Sequence, residues 1–239
     1  MGGEVSHVEA RLKISIVVPT LNEAEGITAV LAGLAPLRAR GHEVIVVDGG
    51  SSDGTPALAR GAADRVVSAP RGRASQMNAG AALARGEVLI FLHADTRLPE
   101  NADARILQGI AASGKAWGRF DVRIEGESRL LPVIAFFMNL RSRATGIATG
   151  DQAMFVRRDA FQRVGGFPPL ELMEDIALSR ALKRLSRPLC LADKAVTSGR
   201  RWERRGVLRT MLLMGWLRLR FFFGAASANL ARLYDGERG

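Results

Sequence analysis

The chain has 239 residues, 47% of them hydrophobic, a formal charge of +10 and one cysteine, Cys190. That length suits one large α/β domain or a domain with a helical appendage, and the apolar content excludes a disordered chain. One cysteine excludes an intramolecular disulfide framework and fits a reducing compartment, and three scattered histidines, His7, His42 and His93, argue against a His/Cys zinc site.

Only four of the 34 basic residues are lysine. Arginine grips phosphate with a planar, two-pronged group. Charge alone therefore leaves nucleotide, nucleic acid and anionic membrane as partners, and an arginine-rich codon bias accounts for the same composition.

Residues 1–12 read as a polar tail carrying Glu4 and Glu9, and not as a secretory signal. Ile14–Val18 reads as a buried strand closed by Pro19. Thr20-Leu21-Asn22-Glu23 has capping-box spacing and predicts a helix through about Leu37. Glu43–Asp48 is the second strand, followed by a short helix after Pro56 and a short strand at Val66-Val67. Ala74–Ala84 reads as a helix ended near Gly86, and Glu87–Leu92 as the next strand, running into His93-Ala94-Asp95. Alternating strands and helices predict a parallel, doubly wound sheet. After Pro99 the regularity fades. Asn101–Ala112 reads as a helix, and Trp117–Ile124 as an antiparallel strand with a wetter face. Leu130–Leu140 reads as a buried or groove-lining helix, Gln152–Val156 as a strand and Glu174–Leu185 as an amphipathic helix.

From Val207 to Leu233 the longest uncharged stretches, Thr210–Leu217 and Phe221–Ala231, have 8 and 11 residues. Both fall short of the roughly 20 needed to span a bilayer. Arg209 and Arg220 share a side of the expected helix, and Arg218 lies opposite. The segment is expected to pack on the domain with one arginine side turned to phosphate or lipid headgroups. The division that follows is a tail over 1–12, a domain over 13–205 with a nucleotide-binding half (13–98) and an acceptor half (99–205), and a C-terminal apolar, basic helix over 206–239.

Four segments converge on one strand edge: Pro19–Glu23, Asp48 with Gly49-Gly50-Ser51-Ser52-Asp53-Gly54-Thr55, Arg71-Gly72-Arg73, and His93-Ala94-Asp95. Ligands of parallel α/β sheets bind at the carboxyl ends of strands, and glycine lets backbone approach a ligand closely. Asp48 is thus placed to meet hydroxyls or a nucleobase edge. The same loop also suits a turn in which Asp53 or Thr55 caps a helix beginning at Pro56. Asp95 is placed to hold a divalent cation bridging a diphosphate, or to serve as a turn residue before Pro99.

The motifs Val17-Val18-Pro19-Thr20-Leu21-Asn22-Glu23, Val47–Thr55 and Phe91-Leu92-His93-Ala94-Asp95, with Asn78-Ala79-Gly80 between them, resemble glycosyltransferase family 2, the inverting enzymes of the GT-A fold. The resemblance covers about Ile14 to Trp202. It implies a Rossmann-like, mostly parallel central sheet with flanking helices, plus the C-terminal helical segment. It implies that Pro19, Thr20 and Glu23 line the nucleotide pocket, that Asp48 binds base or ribose, and that Arg73 sits near the nucleotide. Asp95 would be the metal-binding member of the family's Asp-x-Asp motif, with manganese or magnesium as cofactor. His93 replaces the first carboxylate of that motif, and the resemblance then implies either weaker metal affinity or a hydrogen bond from His93 to the donor.

By the same resemblance, Asp175 in Leu172-Met173-Glu174-Asp175 is the base that takes the acceptor's proton, with Glu174 beside it. Both also read as ordinary first-turn acids of a helix. Asp151 and Gln152 of Gly150-Asp151-Gln152 would lie beside donor sugar and acceptor, with Asp151 a second candidate base. Arg201-Trp202 matches the end of the Gln-x-x-Arg-Trp motif of processive members without its glutamine. Arg201 would offset charge on the departing diphosphate and Trp202 would flank the acceptor. His-Ala-Asp, Gly-Asp-Gln and Arg-Arg-Trp together are similar to a small bacterial-type subgroup labelled arsenosugar-biosynthesis or carotenoid-ester glycosyltransferases.

The expected activity is transfer of a sugar from a UDP- or GDP-linked donor to an acceptor hydroxyl or carboxylate, with inversion. The apolar segments Leu130–Leu140 and Phe221–Leu230 favour a lipid-like acceptor and a cytoplasmic protein peripheral on the inner face of the membrane. A nucleotidyltransferase would carry a glycine-rich loop with lysine or arginine after the first strand, where Thr20–Glu23 stands instead. A basic nucleic-acid or membrane-surface binder would have no use for aligned strand-edge acids, and no nucleic-acid partner is expected.

Overall fold

The computed structural model describes residues 12–236. The continuous apolar runs form the centre of the sheet. Strands β1 (Ile14–Thr20), β2 (Glu43–Asp48) and β4 (Val88–Phe91) are buried almost throughout, as expected of strands covered on both faces. With β3 (Arg65–Ser68) they make a parallel half in the order β3-β2-β1-β4. The two-residue period of the strands sends alternate side chains to opposite layers. Ile14, Ile16, Val18, Val44 and Val46 pack against α1 (Ala24–Ala39) and α4 (Ala102–Ser113). Val17, Ile45 and Val47 pack against α3 (Arg73–Leu83). Gly80 of α3 lies so close to β1 that a Cβ there would overlap Val17.

Beyond β4 the sheet turns antiparallel. Strand β7 (Met154–Arg157) pairs antiparallel with β4, and β6 (Trp117–Glu125) pairs antiparallel with β7 only at Trp117 and Gly118. For the rest of its length β6 runs parallel to β8 (Leu189–Ser198), which holds the two-residue β5 (Thr96–Arg97) at the edge. The antiparallel expectation for Trp117–Ile124 is thus corrected to a strand of mixed pairing. The order β3-β2-β1-β4-β7-β6-β8-β5 makes one mixed sheet and not a purely parallel one.

The capping box expected at Thr20–Glu23 does not form. Thr20 Oγ1 instead approaches Asp48 Oδ1 at 3.3 Å, and Asn22 adopts a φ of 55°. The first free donors of α1 are satisfied across space: Glu23 N donates to Thr55 Oγ1 and Ala24 N to Asp53 Oδ2, both at 2.9 Å. Asp53 Oδ1 also accepts from Thr55 N, the first residue of α2 (Thr55–Ala59). One aspartate therefore ties down two helix starts.

Helix α5 (Leu131–Thr145) extends beyond its apolar stretch to include Arg141. Helices α6 (Arg158–Arg163) and α8 (Arg200–Arg205) carry no sequence signal read above. Helix α7 (Glu174–Leu182) begins where expected. The single C-terminal helix expected over 206–239 is two among the described residues, α9 (Val207–Phe222) and α10 (Ser227–Gly236). They separate at Gly224, whose φ of 87° suits glycine. Leu217, Leu230 and Tyr234 of this pair pack onto Leu172, Met173 and Ile176, so the C-terminal helices close over the start of α7.

Candidate active site

On the nucleotide side, Thr20 and Asp48 are register partners at the ends of β1 and β2. Asp48 is buried. Its Oδ2 accepts from Gly50 N and Ser51 N at 2.9 Å, and its Oδ1 from Ser51 Oγ at 2.5 Å and Thr20 Oγ1 at 3.3 Å. Burial works to raise this carboxyl, but the four hydrogen bonds outweigh it and hold Asp48 below the ordinary aspartate value. A carboxylate has about four acceptor sites, so Asp48 here organises its own loop, and a base or ribose would have to displace a hydroxyl to reach it. Pro19 is buried beneath the same edge, and Glu23 is the residue before α1.

A residue not singled out from the sequence sits under this edge. Gln76 of α3 is buried, and its Nε2 donates to Thr20 O and Val47 O, both at 2.8 Å. It fixes the gap between the ends of β1 and β2, directly below Gly49. Asn78, two residues on, clamps Phe167 by donating to its carbonyl at 2.8 Å and accepting from its N–H at 2.9 Å.

The acid side is a small cavity of about 60 Å³ that brings together Arg73, His93, Asp151, Glu174 and Asp175. His93 Nδ1 lies 3.4 Å from Asp151 Oδ1, and its ring packs on Gly150, where a Cβ would overlap it. Asp175 Oδ2 accepts from Gly150 N at 3.0 Å and Oδ1 from Ile176 N at 2.7 Å. The turn Gly150–Gln152 and the helix start are thereby locked together. Burial, then repulsion from Asp175, push the Glu174 carboxyl above its ordinary value against the pull of Arg73. Burial opposes the charge of Arg73, but Glu174, Tyr234, Asp151 and Asp175 outweigh it and hold the guanidinium above its usual value. The three non-glycine residues of positive φ among the described residues, Asn22, Ala153 and Met173, all border these two regions. Such strain persists where surrounding structure over-determines it, often at functional sites.

The remaining expected site residues lie apart or play other parts. Gln152 is fully buried, its Oε1 accepting from Thr149 N at 3.2 Å and its Nε2 donating to Asn139 Oδ1 at 3.3 Å. It supports the turn. Asp95 stands at the sheet edge beside the acid cavity without lining it. Its carbonyl accepts from Ser198 N at 3.2 Å and its Oδ1 from Thr96 Oγ1 at 3.3 Å. No cluster of three or more metal-ligating side chains occurs among the described residues. A lone strand-end carboxylate nevertheless fits manganese or magnesium in their usual mode with phosphate ligands, one or two carboxylates plus substrate oxygens and water. Arg201 is the second residue of α8, and its side chain lies outside the described residues. Trp202 lines a groove of about 320 Å³ between α5 and α9.

Helix α9 supplies what sequence reading missed. Met214 and Arg218 line both the groove and the acid cavity, and Tyr234 of α10 lines the latter. The spacing placed Arg218 opposite Arg209 and Arg220, but nothing local said which side faced the acids.

A parallel half-sheet ending in an anchored glycine-rich loop, joined to a half of mixed pairing beside which Arg73, Glu174 and Asp175 gather, defines a mixed α/β fold with one site at its sheet edge. The chain belongs to glycosyl transferase family 2, whose sequence model matches residues 15–165, more than half of its length. It is 29% identical over 208 residues to the succinoglycan biosynthesis protein ExoA of Rhizobium meliloti, covering 75% of this chain and 60% of that one. Its fold is similar to S. aureus TarS residues 1–349 in complex with UDP-GlcNAc, with a TM-score of 0.64 and 21% identity over 78% of this chain and 58% of that one. It is also similar to mannosyltransferase PcManGT from Pyrobaculum calidifontis in complex with GDP-Man and Mn2+, with a TM-score of 0.60 and 24% identity over 79% of this chain and 57% of that one. The chain thus spans about three-fifths of the length of these relatives.

Proposed function

We propose that the chain transfers a sugar from a nucleoside-diphosphate sugar to an acceptor, with inversion at the anomeric carbon. What supports this most is one cavity that joins a cation, Arg73, to two acids, Glu174 and Asp175, with Arg73 opening the helix whose Gln76 lies under the loop that Asp48 holds. The nucleoside lies against Thr20–Glu23 and that loop. Asp95 would hold a divalent cation, which when bound would offset charge on the leaving group. Arg73 and Arg201 act on the same negative charge, and His93 hydrogen-bonds the donor.

The acceptor oxygen attacks the anomeric carbon from the face opposite the diphosphate. The new C–O bond forms as the bond to phosphate breaks, the nucleoside diphosphate leaves with the electron pair, and the acceptor's proton passes to Asp175. A single displacement inverts the centre. Asp175 suits this role because two backbone N–H groups fix its carboxylate at the cavity wall. Glu174, buried against Arg73, holds the cavity's charge balance, and Asp151 orients His93. The groove containing Trp202 receives an apolar acceptor at the membrane surface. Membership of the arsenosugar or carotenoid-ester subgroup is part of this proposal and rests on His93-Ala94-Asp95, Gly150-Asp151-Gln152 and Arg201-Trp202.

A thermal-shift series with UDP- and GDP-linked sugars, with and without Mn2+ or Mg2+, tests the reading. The true donor raises the melting temperature by mass action, and more so with metal. No donor-dependent rise in the presence of metal would overturn it.

A further inference from the structure

The groove between α5 and α9 is walled by Val133, Phe137, Met138, Leu208 and Met211, with Trp202 at its side. Among the described residues its charged lining is Arg141 and Arg218, and Arg218 also reaches the acid cavity. Nε and Nη2 of Arg141 and Nε of Arg218 are buried with no hydrogen-bond partner among the described residues. The two guanidinia act on each other as like charges: burial, then Arg218, lower Arg141 to about 10. Burial also lowers Arg218, against the carboxylates of Asp175 and Asp151, and Asp175 pulls in the same sense on Arg141. Buried, unpaired donors on neighbouring cations are costly unless an anion joins them. An arginine pair matches the oxygens of phosphate through parallel N–H donors.

The order along this path is apolar groove, arginine pair, then Asp175. We infer that Arg141 and Arg218 bind the phosphate of an amphiphilic acceptor that carries, in sequence, an apolar chain, a phosphodiester and a head-group hydroxyl. A carboxylate ends a chain, whereas a phosphodiester continues it and leaves a hydroxyl to reach Asp175. In transfer, that hydroxyl's oxygen bonds to the anomeric carbon, its proton goes to Asp175 and the nucleoside diphosphate departs. The naming of this ligand as acceptor rests on the glycosyl-transfer reading; the anion site does not.

The test is binding without nucleotide, followed by tryptophan fluorescence below the micellar concentration, using lysophosphatidylglycerol, the monoacylglycerol of the same chain, the free fatty acid and glycerol phosphate. Lysophosphatidylglycerol is expected to bind at least about tenfold tighter than the monoacylglycerol, about 1.4 kcal/mol, and tighter than tail-less glycerol phosphate. Arg141→Gln, in the groove and outside the acid cavity, should erase that preference while UDP- or GDP-sugar affinity stays within about twofold; Arg218→Gln should erase the preference as well. Phe137→Asp, at an exposed position, should repel the ligand without unfolding the chain, and so covers the case in which an arginine variant fails to fold. Equal binding of the monoacylglycerol, tighter binding of the fatty acid, or loss of nucleotide-sugar affinity in Arg141→Gln would overturn the assignment. A missing donor-dependent thermal shift with intact phospholipid preference would instead overturn glycosyl transfer and leave the anion site standing.

Discussion

Asp175 is held by Gly150 N and Ile176 N, so its position does not depend on its charge alone. Asp175→Asn keeps the shape and an acceptor oxygen but removes the base. Transfer should fall about a hundredfold to ten-thousandfold, in the range of general-base contributions, while titration of the nucleotide sugar gives an unchanged Kd. Near wild-type turnover would remove Asp175 from the chemistry. Asp48 makes a different prediction. Its carboxyl lies below the ordinary value, so its contribution to stability is complete above the unfolded pKa of about 3.9 and fades as pH falls through the lower folded value. Asp48→Asn should destabilise the fold by about 1–3 kcal/mol at pH 7, the usual effect of losing charge-assisted hydrogen bonds in a buried site. By urea unfolding the difference should shrink as pH falls below the unfolded aspartate value. Both aspartates were visible in the sequence because each ends an apolar run or opens a helix. Gln76, Arg141 and Arg218 were not, because their partners lie far along the chain. Gln76 contacts Thr20 and Val47, and no local pattern announces that pairing.

At the level of elements, β1, β2 and β4 were legible because burial on both faces leaves continuous apolar runs. Strand β8 was not. It lies near the sheet edge, much of it only half-buried, and its sequence carries no clean period. Helix α1 was legible as a helix but not in its cap, since its donors are met by Asp53 and Thr55 of another loop. The turn Gly150–Gln152 illustrates how elements are fitted to one another. It needs no positive φ at Gly150, yet a Cβ there would overlap the His93 ring. Gly150→Ala should therefore displace His93 or the turn, and with the turn the N–H that holds Asp175. Sugar transfer should drop at least about tenfold, a cost of about 1.4 kcal/mol in the barrier. Coupling to His93→Ala gives the check: in a double-mutant cycle the alanine at 150 should cost much less once the ring is gone. Additive losses would place the effect of Gly150 elsewhere.

Across the whole molecule, helices α5 and α9 present apolar side chains on both inner and outer faces. On α9 the inner face carries Thr210 and Leu217, whereas Leu208, Leu212, Leu219 and Phe222 recur at helical spacing and are more than half exposed. Phe136 and Phe137 of α5 are exposed to the same degree. No helix among the described residues is long and apolar enough to cross a membrane. Exposed apolar surface of this kind marks an interaction face, and it occurs in a chain of net charge +10. Amphipathic helices of basic proteins bind at the lipid interface by combining apolar burial with attraction to anionic headgroups. The chain should float with vesicles containing phosphatidylglycerol at 50 mM salt. It should do so less at 500 mM salt, because charge attraction between exposed groups is screened. Phe222→Ser with Phe223→Ser removes apolar anchors that stand far out on the surface and should weaken flotation at both salts. Their exposure predicts little change in melting temperature or in nucleotide-sugar binding. Vesicle binding that ignores this double substitution, or that is equally strong on neutral phosphatidylcholine, would show that the α5–α9 face is not what meets the membrane.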